Sequence, residues 1–309
     1  MTLRLAVVDI GSHSVLLLVA EGKPGTLHWQ PVHQELRVTH LAEGLAHTGQ
    51  LQEKALHRTV QAACELAQRA RHLGAQRIWA YGTQALRVAR NREVFVHRLH
   101  STCGLDLEIL SPKQEAQLAF WAARWFLPEV QDPLGVFDLG GASTEFARGT
   151  HRGLEQTLSL PIGVLTLTEA HLRHDPPLPR ELEDLRNTVR QALEPVRPLS
   201  PVASLVGTGG TVTSLAALLL GLPTYDGHRV HGTRWSRSQM ESLAQDLSRL
   251  PEAERSRRLT FDPSRARVIV AGTWAVVLLL ETLEATELWV SDAGPRHAYL
   301  VQKARELRA

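Results

Sequence analysis

Two stretches of this 309-residue chain set an aspartate, a glycine and a serine at the same spacing behind an apolar run. Val7-Val8-Asp9-Ile10-Gly11-Ser12-His13-Ser14 aligns with Val136-Phe137-Asp138-Leu139-Gly140-Gly141-Ala142-Ser143 as apolar, apolar, Asp, aliphatic, Gly, small, any, Ser. Glycine turns bring backbone N–H groups close to an anion because no Cβ blocks the approach, and the hydroxyls of Ser12, Ser14, Ser143 and Thr144 add donors. Each hairpin could therefore hold a phosphate. One hairpin alone needs no such explanation, since glycine also serves turn geometry. Two matched hairpins with a further turn, Gly207-Thr208-Gly209-Gly210-Thr211, favour ligand binding. Carboxylates beside phosphate repel it unless a divalent cation lies between them, so Asp9, Asp138 and Glu145 imply Mg²⁺ or a similar hard metal such as Mn²⁺.

The elements that position these residues follow from periodicity. Leu3 to Asp9 is a strand, Gly11 and Ser12 a turn, Val15 to Ala20 a second strand and Leu27 to His33 a third. Apolar residues from Gln52 to His72 recur at helical spacing, with Gly74 where a C-terminal stop belongs. Short strands at Arg77 to Tyr81 and Asp106 to Leu110 flank a helix or loop-helix at Thr83 to Arg90, and Ser111-Pro112 opens a helix reaching Phe126. The order then restarts, with strands at Gly135 to Leu139, Thr144 to Arg148 and Leu154 to Leu160. Helices are expected at Val164 to Leu172, Arg180 to Leu193, Ser214 to Leu220, Ser238 to Leu250, Ala266 to Leu283 and Arg296 to Arg308, with strands at Ala203 to Val206 and Glu287 to Val290. A repeat of half a chain points to a duplicated domain, and strands interleaved with helices point to an α/β architecture.

A hydrophobic content of 43% excludes a disordered chain and gives material for two cores. A formal net charge of +2 is too small for a dedicated nucleic-acid binder. The two cysteines, Cys64 and Cys103, are too few for a disulfide framework or a cysteine zinc site, and are read as buried thiols in a reducing compartment. The start lacks a charged leader followed by an apolar stretch, and no apolar run is long enough to span a bilayer. The expectation is a soluble, cytoplasmic protein.

Seven ordered motifs carry a resemblance. Asp9-Ile10-Gly11-Ser12, Tyr81-Gly82-Thr83-Gln84-Ala85-Leu86-Arg87 with Asn91-Arg92, Glu115-Ala116, Asp138 through Glu145, Ser159-Leu160-Pro161-Ile162-Gly163, Gly209-Gly210-Thr211 and Ser291-Asp292-Ala293-Gly294 resemble those of the exopolyphosphatase and guanosine pentaphosphate phosphohydrolase family, along nearly the whole chain. The resemblance implies two ribonuclease-H-like (actin-like) domains with a phosphate-binding cleft between them: residues 1–125, with 296–309 packing back on them, and residues 126–295. Hinges are expected near 125 and 295. It also implies that Glu115 is the base activating water, that Arg87 binds terminal phosphates, and that Asp138 and Glu145, with Asp9, hold the metal. The phosphate-binding set becomes Gly11, Ser12, His13, Ser14, Thr83, Gly140, Gly141, Ala142, Ser143, Gly209, Gly210 and Thr211. The substrate implied is polyphosphate or guanosine pentaphosphate, with no membrane or nucleic-acid partner, and a homodimer would be family-like.

Two positions depart from the family pattern: His13 stands where Asn is usual, and Ala142 where a third Gly is usual. Ala142 is compatible only with a negative φ. His228 and His231 sit between Gly227 and Gly232, a loop context that argues against a helical metal pair. Arg229, Arg265, Arg267 and Lys113 are expected to line a polyanion path. A kinase would need an acceptor-activating Asp that the sequence does not offer, and a non-catalytic sensor would need a lost catalytic group.

Overall fold

The computed structural model describes residues 2–307, which fall into two compact units. One is built from the residues up to Leu118 together with those from Pro295 onward, the other from Ala119–Gly294.

The first unit runs β1 (Leu3–Ile10), β2 (Ser14–Gly22), β3 (Trp29–Val38), α1 (Leu45–Thr48), α2 (Glu53–His72), β4 (Arg77–Gly82), α3 (Gln84–Val88), α4 (Arg92–Cys103), β5 (Leu107–Ile109) and α5 (Pro112–Phe126). α5 crosses the first division between the units. The sheet order is β3-β2-β1-β4-β5. Central β1 is apolar nearly throughout because both its faces are covered, with Leu5 to Val8 and Ile10 fully buried. Edge strand β3 instead carries Pro31, Glu35 and Arg37, residues that discourage further pairing. On α2 the residues Ala55, Leu56, Val60, Ala63, Leu66, Ala67 and Ala70 face the core at helical spacing. The helix stops at Gly74, whose φ of 80° suits glycine, as Ala75 N–H reaches back to the Ala70 carbonyl at 3.0 Å.

The second unit runs β6 (Leu134–Leu139), β7 (Thr144–Thr150), β8 (Gly153–Leu160), α6 (Val164–His171), α7 (Pro179–Leu193), β9 (Ser204–Thr208), α8 (Gly210–Leu219), α9 (Gly227–Val230), β10 (Arg234–Ser236), α10 (Arg237–Arg249), α11 (Glu252–Arg258), α12 (Ile269–Thr282) and β11 (Glu287–Val290). Its sheet order is β10-β11-β9-β6-β7-β8. Read from β8 inward, the first five strands repeat the first sheet: two antiparallel pairings, then two parallel ones. Helix α12 is buried from Ile269 to Leu280, which explains why it is apolar all round. The closing helix α13 (Pro295–Glu306) packs on β1 in the first unit. Arg308, its expected end, lies outside the described residues.

Several expectations are corrected. α4 was not foreseen, because only Phe95 and Leu99 of its twelve residues are buried and no apolar stripe results. The segment after Asp226 is a helical turn rather than a loop, with the Asp226 carboxylate accepting from His228 N–H at 3.0 Å. Cys64 and Cys103 are half-buried and joined in a disulfide, with Cα atoms 5.5 Å apart. The packing of α4 on α2 brings together residues that are 39 apart in sequence.

Glu181, in the first turn of α7, accepts hydrogen bonds from the Arg173, His174 and Leu178 backbone N–H groups and pairs with the His174 ring at 2.9 Å. Partial burial acts upward on its carboxyl, but the His174 ring and the three N–H donors outweigh it and bring it to about 2. A folded value below the unfolded one stabilises above the unfolded value and is lost as pH falls toward the folded one. Glu181→Gln is therefore expected to cost about 1 to 2 kcal/mol at neutral pH, the range for losing a helix cap. The gap to wild type should close as pH falls from about 4.5 toward about 2. Urea unfolding at several pH values checks this, and a gap independent of pH would contradict it.

Candidate functional site

The two hairpins adopt the same turn. Gly11 N–H donates to the Ser14 carbonyl at 2.9 Å, and Gly140 N–H to the Ser143 carbonyl at 3.0 Å. A Cβ on Gly11 or Gly140 would crowd that same carbonyl, which is the steric reason both positions are glycine. Ala142 is not among the positive-φ residues, so its side chain is accommodated. The hairpins differ opposite the aspartate: Asp9 faces Leu16 across the strands, whereas Asp138 faces Glu145.

In the first unit, parallel pairing of β1 with β4 sets Asp9 beside Tyr81, and Thr83 N–H donates to the Ile10 carbonyl at 3.2 Å. Thr83 thus adjoins the first turn. Ser12 and Ser14 are nearly buried there, and His13 is half-buried. Burial pushes the Asp9 carboxyl up to about 6, against the downward effects of the Tyr81 hydroxyl and the Arg296 charge. Glu115 lies in the first turn of α5, opened by Ser111, and is only 7% exposed. Its carboxylate is paired with Arg87, whose guanidinium also donates to the Leu110 carbonyl at 2.8 Å and to Gln84 Oε1 at 2.8 Å. The two residues are 28 apart in sequence and meet because α3 follows β4 while α5 follows β5, the adjacent strand.

In the second unit, Glu145 is buried and accepts from the Ser143 hydroxyl at 2.8 Å and the Ser159 hydroxyl at 3.1 Å. Gly209 has φ of 91° and lies against Asp138; a Cβ there would stand 2.6 Å from the carboxylate Oδ1. Helix α8 begins at Gly210 rather than Ser214, so Gly210 and Thr211 form its first turn, where backbone N–H groups point outward and favour anions. Thr211 is 1% exposed and its hydroxyl has no hydrogen-bond partner among the described residues, so contact with an anion would fall to its main chain. The Arg265 guanidinium lies over Gly210 and pairs with Asp262 at 2.8 Å. Lys113, Arg229 and Arg267 are exposed. His231 uses both ring nitrogens internally, toward the Phe126 carbonyl and the Asp292 N–H.

The donor chemistry fits a hard cation. Asp138 and Glu145 oppose each other across a hairpin, an unfavourable arrangement for two anions that a cation would relieve. Burial likewise destabilises the Asp9 anion. Among the described residues no three His, Cys, Asp or Glu side chains cluster as a metal site. A cation held by one or two carboxylates, with phosphate oxygens and water completing its shell, matches the habit of Mg²⁺.

Gly163, the last residue of the Ser159-Leu160-Pro161-Ile162-Gly163 motif, packs against the second turn. A Cβ on it would collide with main-chain atoms of Gly141 and Ala142. Val164 and Leu165 N–H groups, at the start of α6, donate to the carbonyls of Gly140 and Gly141 at 3.0 and 2.8 Å. The second turn is thereby seated on α6.

A model of the Ppx/GppA phosphatase family matches residues 18–307. Exopolyphosphatase 2 of Mycobacterium tuberculosis is 32% identical over 290 residues, covering 91% of each chain. Exopolyphosphatase 1 of Mycobacterium bovis is 30% identical over 97% of this chain and 88% of its own. The crystal structure of the Aquifex aeolicus Ppx/GppA family member superposes with a TM-score of 0.86 at 33% identity, covering all of both chains. Among the described residues no helix is long and apolar enough to cross a membrane.

Proposed function

Because the chain belongs to the Ppx/GppA phosphatase family, we propose that it is an exopolyphosphatase that hydrolyses the terminal phosphoanhydride of inorganic polyphosphate and releases phosphate. The observation that carries this is the pairing of partly buried Arg87 with buried Glu115, which would set a cation for phosphate beside a carboxylate able to accept a proton from water. A carboxylate in this place could take a proton from water or from an acceptor hydroxyl, and the similarity to exopolyphosphatases favours water.

In this reading the turns at Gly11–Ser14, Gly140–Ser143 and Gly209–Thr211, with Thr83, donate to phosphate oxygens. A terminal phosphate draws Arg87 from Glu115, so substrate binding itself releases the base. Glu115 then takes a proton from the attacking water as the water oxygen bonds to phosphorus and the bridging P–O bond breaks. Asp138 and Glu145, opposite each other across the second hairpin, would hold a divalent cation, which when bound would neutralise charge on the phosphate oxygens. Fixed N–H donors and cations supply most of the rate because the transferring group develops little new covalent chemistry with the protein.

The test is phosphate release by purified protein with Mg²⁺, comparing polyphosphate, guanosine pentaphosphate and ATP. Preference for polyphosphate is expected. Preference for guanosine pentaphosphate would keep the chemistry and change the substrate, and release from none of the three would remove the hydrolase reading.

A further inference from the structure

His13, at the tip of the first turn, is covered by a second histidine. The His40 ring meets it edge to face, with ring centroids 4.6 Å apart and planes at 81°. His40 follows β3 in a short connection folded onto the turn: Thr39 and His40 N–H groups both donate to the His13 carbonyl, at 2.9 and 2.8 Å, and Ala42 N–H to the Ser12 carbonyl at 3.0 Å. The connection is held firmly. Its neighbours Thr39 and Leu41 are buried, and Arg58, itself paired with Glu43, donates to the Thr39 carbonyl at 2.7 Å.

His40 has φ of 49°, one of two non-glycine residues with a positive value among those described. For an L residue with a full side chain this conformation is unfavourable, and asparagine or glycine would occupy it more easily. Nothing in the main-chain hydrogen bonding requires histidine there. Residues held in such sparsely populated conformations cluster at ligand-binding and active sites, which directs attention to what the side chain contacts. What the ring touches is the His13 imidazole, edge to face.

We infer that His40 is a positioning residue: it holds the His13 imidazole in the orientation that donates to substrate phosphate, and so sets affinity for the anion. The inference rests on the proposed reading that the first turn binds phosphate. It assigns His40 no contact with the reacting atoms.

The test uses His40→Asn, which suits the positive φ but lacks the ring, alone and combined with His13→Asn. His40→Asn is expected to raise KM for polyphosphate about threefold to tenfold, the worth of one edge-to-face aromatic contact. kcat should stay within about twofold, the mark of lost binding rather than lost chemistry. Its melting temperature should stay close to that of wild type, because relief of the positive-φ strain offsets the lost ring contact. In the His13→Asn background the added substitution should change nothing further, since the ring it orients is gone. Affinity for inorganic tripolyphosphate, measured by titration calorimetry, should follow the same four-way pattern whether or not polyphosphate is turned over. An unchanged affinity in His40→Asn, or a loss that persists undiminished beside His13→Asn, would overturn the inference and leave the hydrolase reading standing. Absence of phosphate release by wild type would instead remove that reading, with the calorimetric cycle still deciding the role of His40.

Discussion

Glu115→Gln is expected to lower kcat for phosphate release by about 10²- to 10⁴-fold, the contribution of a positioned general base. The amide keeps the shape of the side chain and loses the negative charge that would accept the water proton. Arg87 keeps its bonds to the Leu110 carbonyl and Gln84, so the cation stays in place when its carboxylate partner is neutralised. KM should therefore change little, or fall, because phosphate no longer competes with Glu115 for Arg87. The side chain is almost fully buried, so the stability of the variant must be measured beside its activity. A stopped-flow phosphate assay and a thermal melt on the same preparation separate the two effects. A kcat within about twofold of wild type would remove Glu115 from the base role.

The opposite substitution shows why the pair matters before substrate arrives. Truncating Arg87 would strand a buried carboxylate, a change that costs folded proteins about 3 to 5 kcal/mol. An effect on activity there would be mixed with an effect on the fold, so Glu115→Gln is the cleaner probe of chemistry.

Much of the scaffold was legible because it is locally encoded. β1 and β6 announce themselves as apolar runs ended by aspartate and glycine, and the restart of that pattern at Val136 foretells the repeated strand order of the second sheet. α2 carries a clean apolar stripe and a glycine stop. α4 was missed because its burial rests on Phe95 and Leu99 alone, with charged and polar residues spread around the remaining surface. The start of α8 was set too late for a related reason: consecutive glycines oppose helix formation, yet Gly209 at φ of 91° lets the chain turn into the helix immediately. β10 and α11 are short elements whose form depends on neighbours more than on pattern.

The candidate site divides along the same line. Its glycine turns could be read from composition and spacing. Glu115 could not, since one glutamate in the first turn of a helix is ordinary, and only the motif resemblance drew attention to it. Its pairing with Arg87 spans 28 residues and arises from adjacent parallel strands, which no local pattern reports. The Cys64–Cys103 disulfide and the His13–His40 contact are hidden for the same reason: each joins elements brought together by packing.

Gly163 is the extreme case, a glycine whose reason lies in another loop, and its replacement carries the second large expected effect. Its φ of −142° is open to any residue, so conformational freedom does not explain it. The steric reason is the main chain of Gly141 and Ala142, which occupies the space a Cβ would need. Those atoms belong to a turn whose carbonyls are bonded to the start of α6, so neither side yields without breaking hydrogen bonds. Gly163→Ala should push the second turn away from its seat and carry the neighbouring Ser143 and Glu145 with it. Overpacking of this kind costs about 1 to 3 kcal/mol in stability. A displacement on the order of 1 Å in groups that position substrate costs about 10²-fold in kcat/KM. Gly104→Ala supplies the control, because Gly104 has φ of 69° with open space around its Cβ position, and it ends α4 and belongs to none of the glycine turns. It should lose about 1 to 2 kcal/mol through backbone strain alone and keep its kcat/KM. If both variants lose stability and only Gly163→Ala loses catalysis, the second turn is part of the site. Equal activity in the two would separate that turn from the chemistry and leave Gly163 with a packing role.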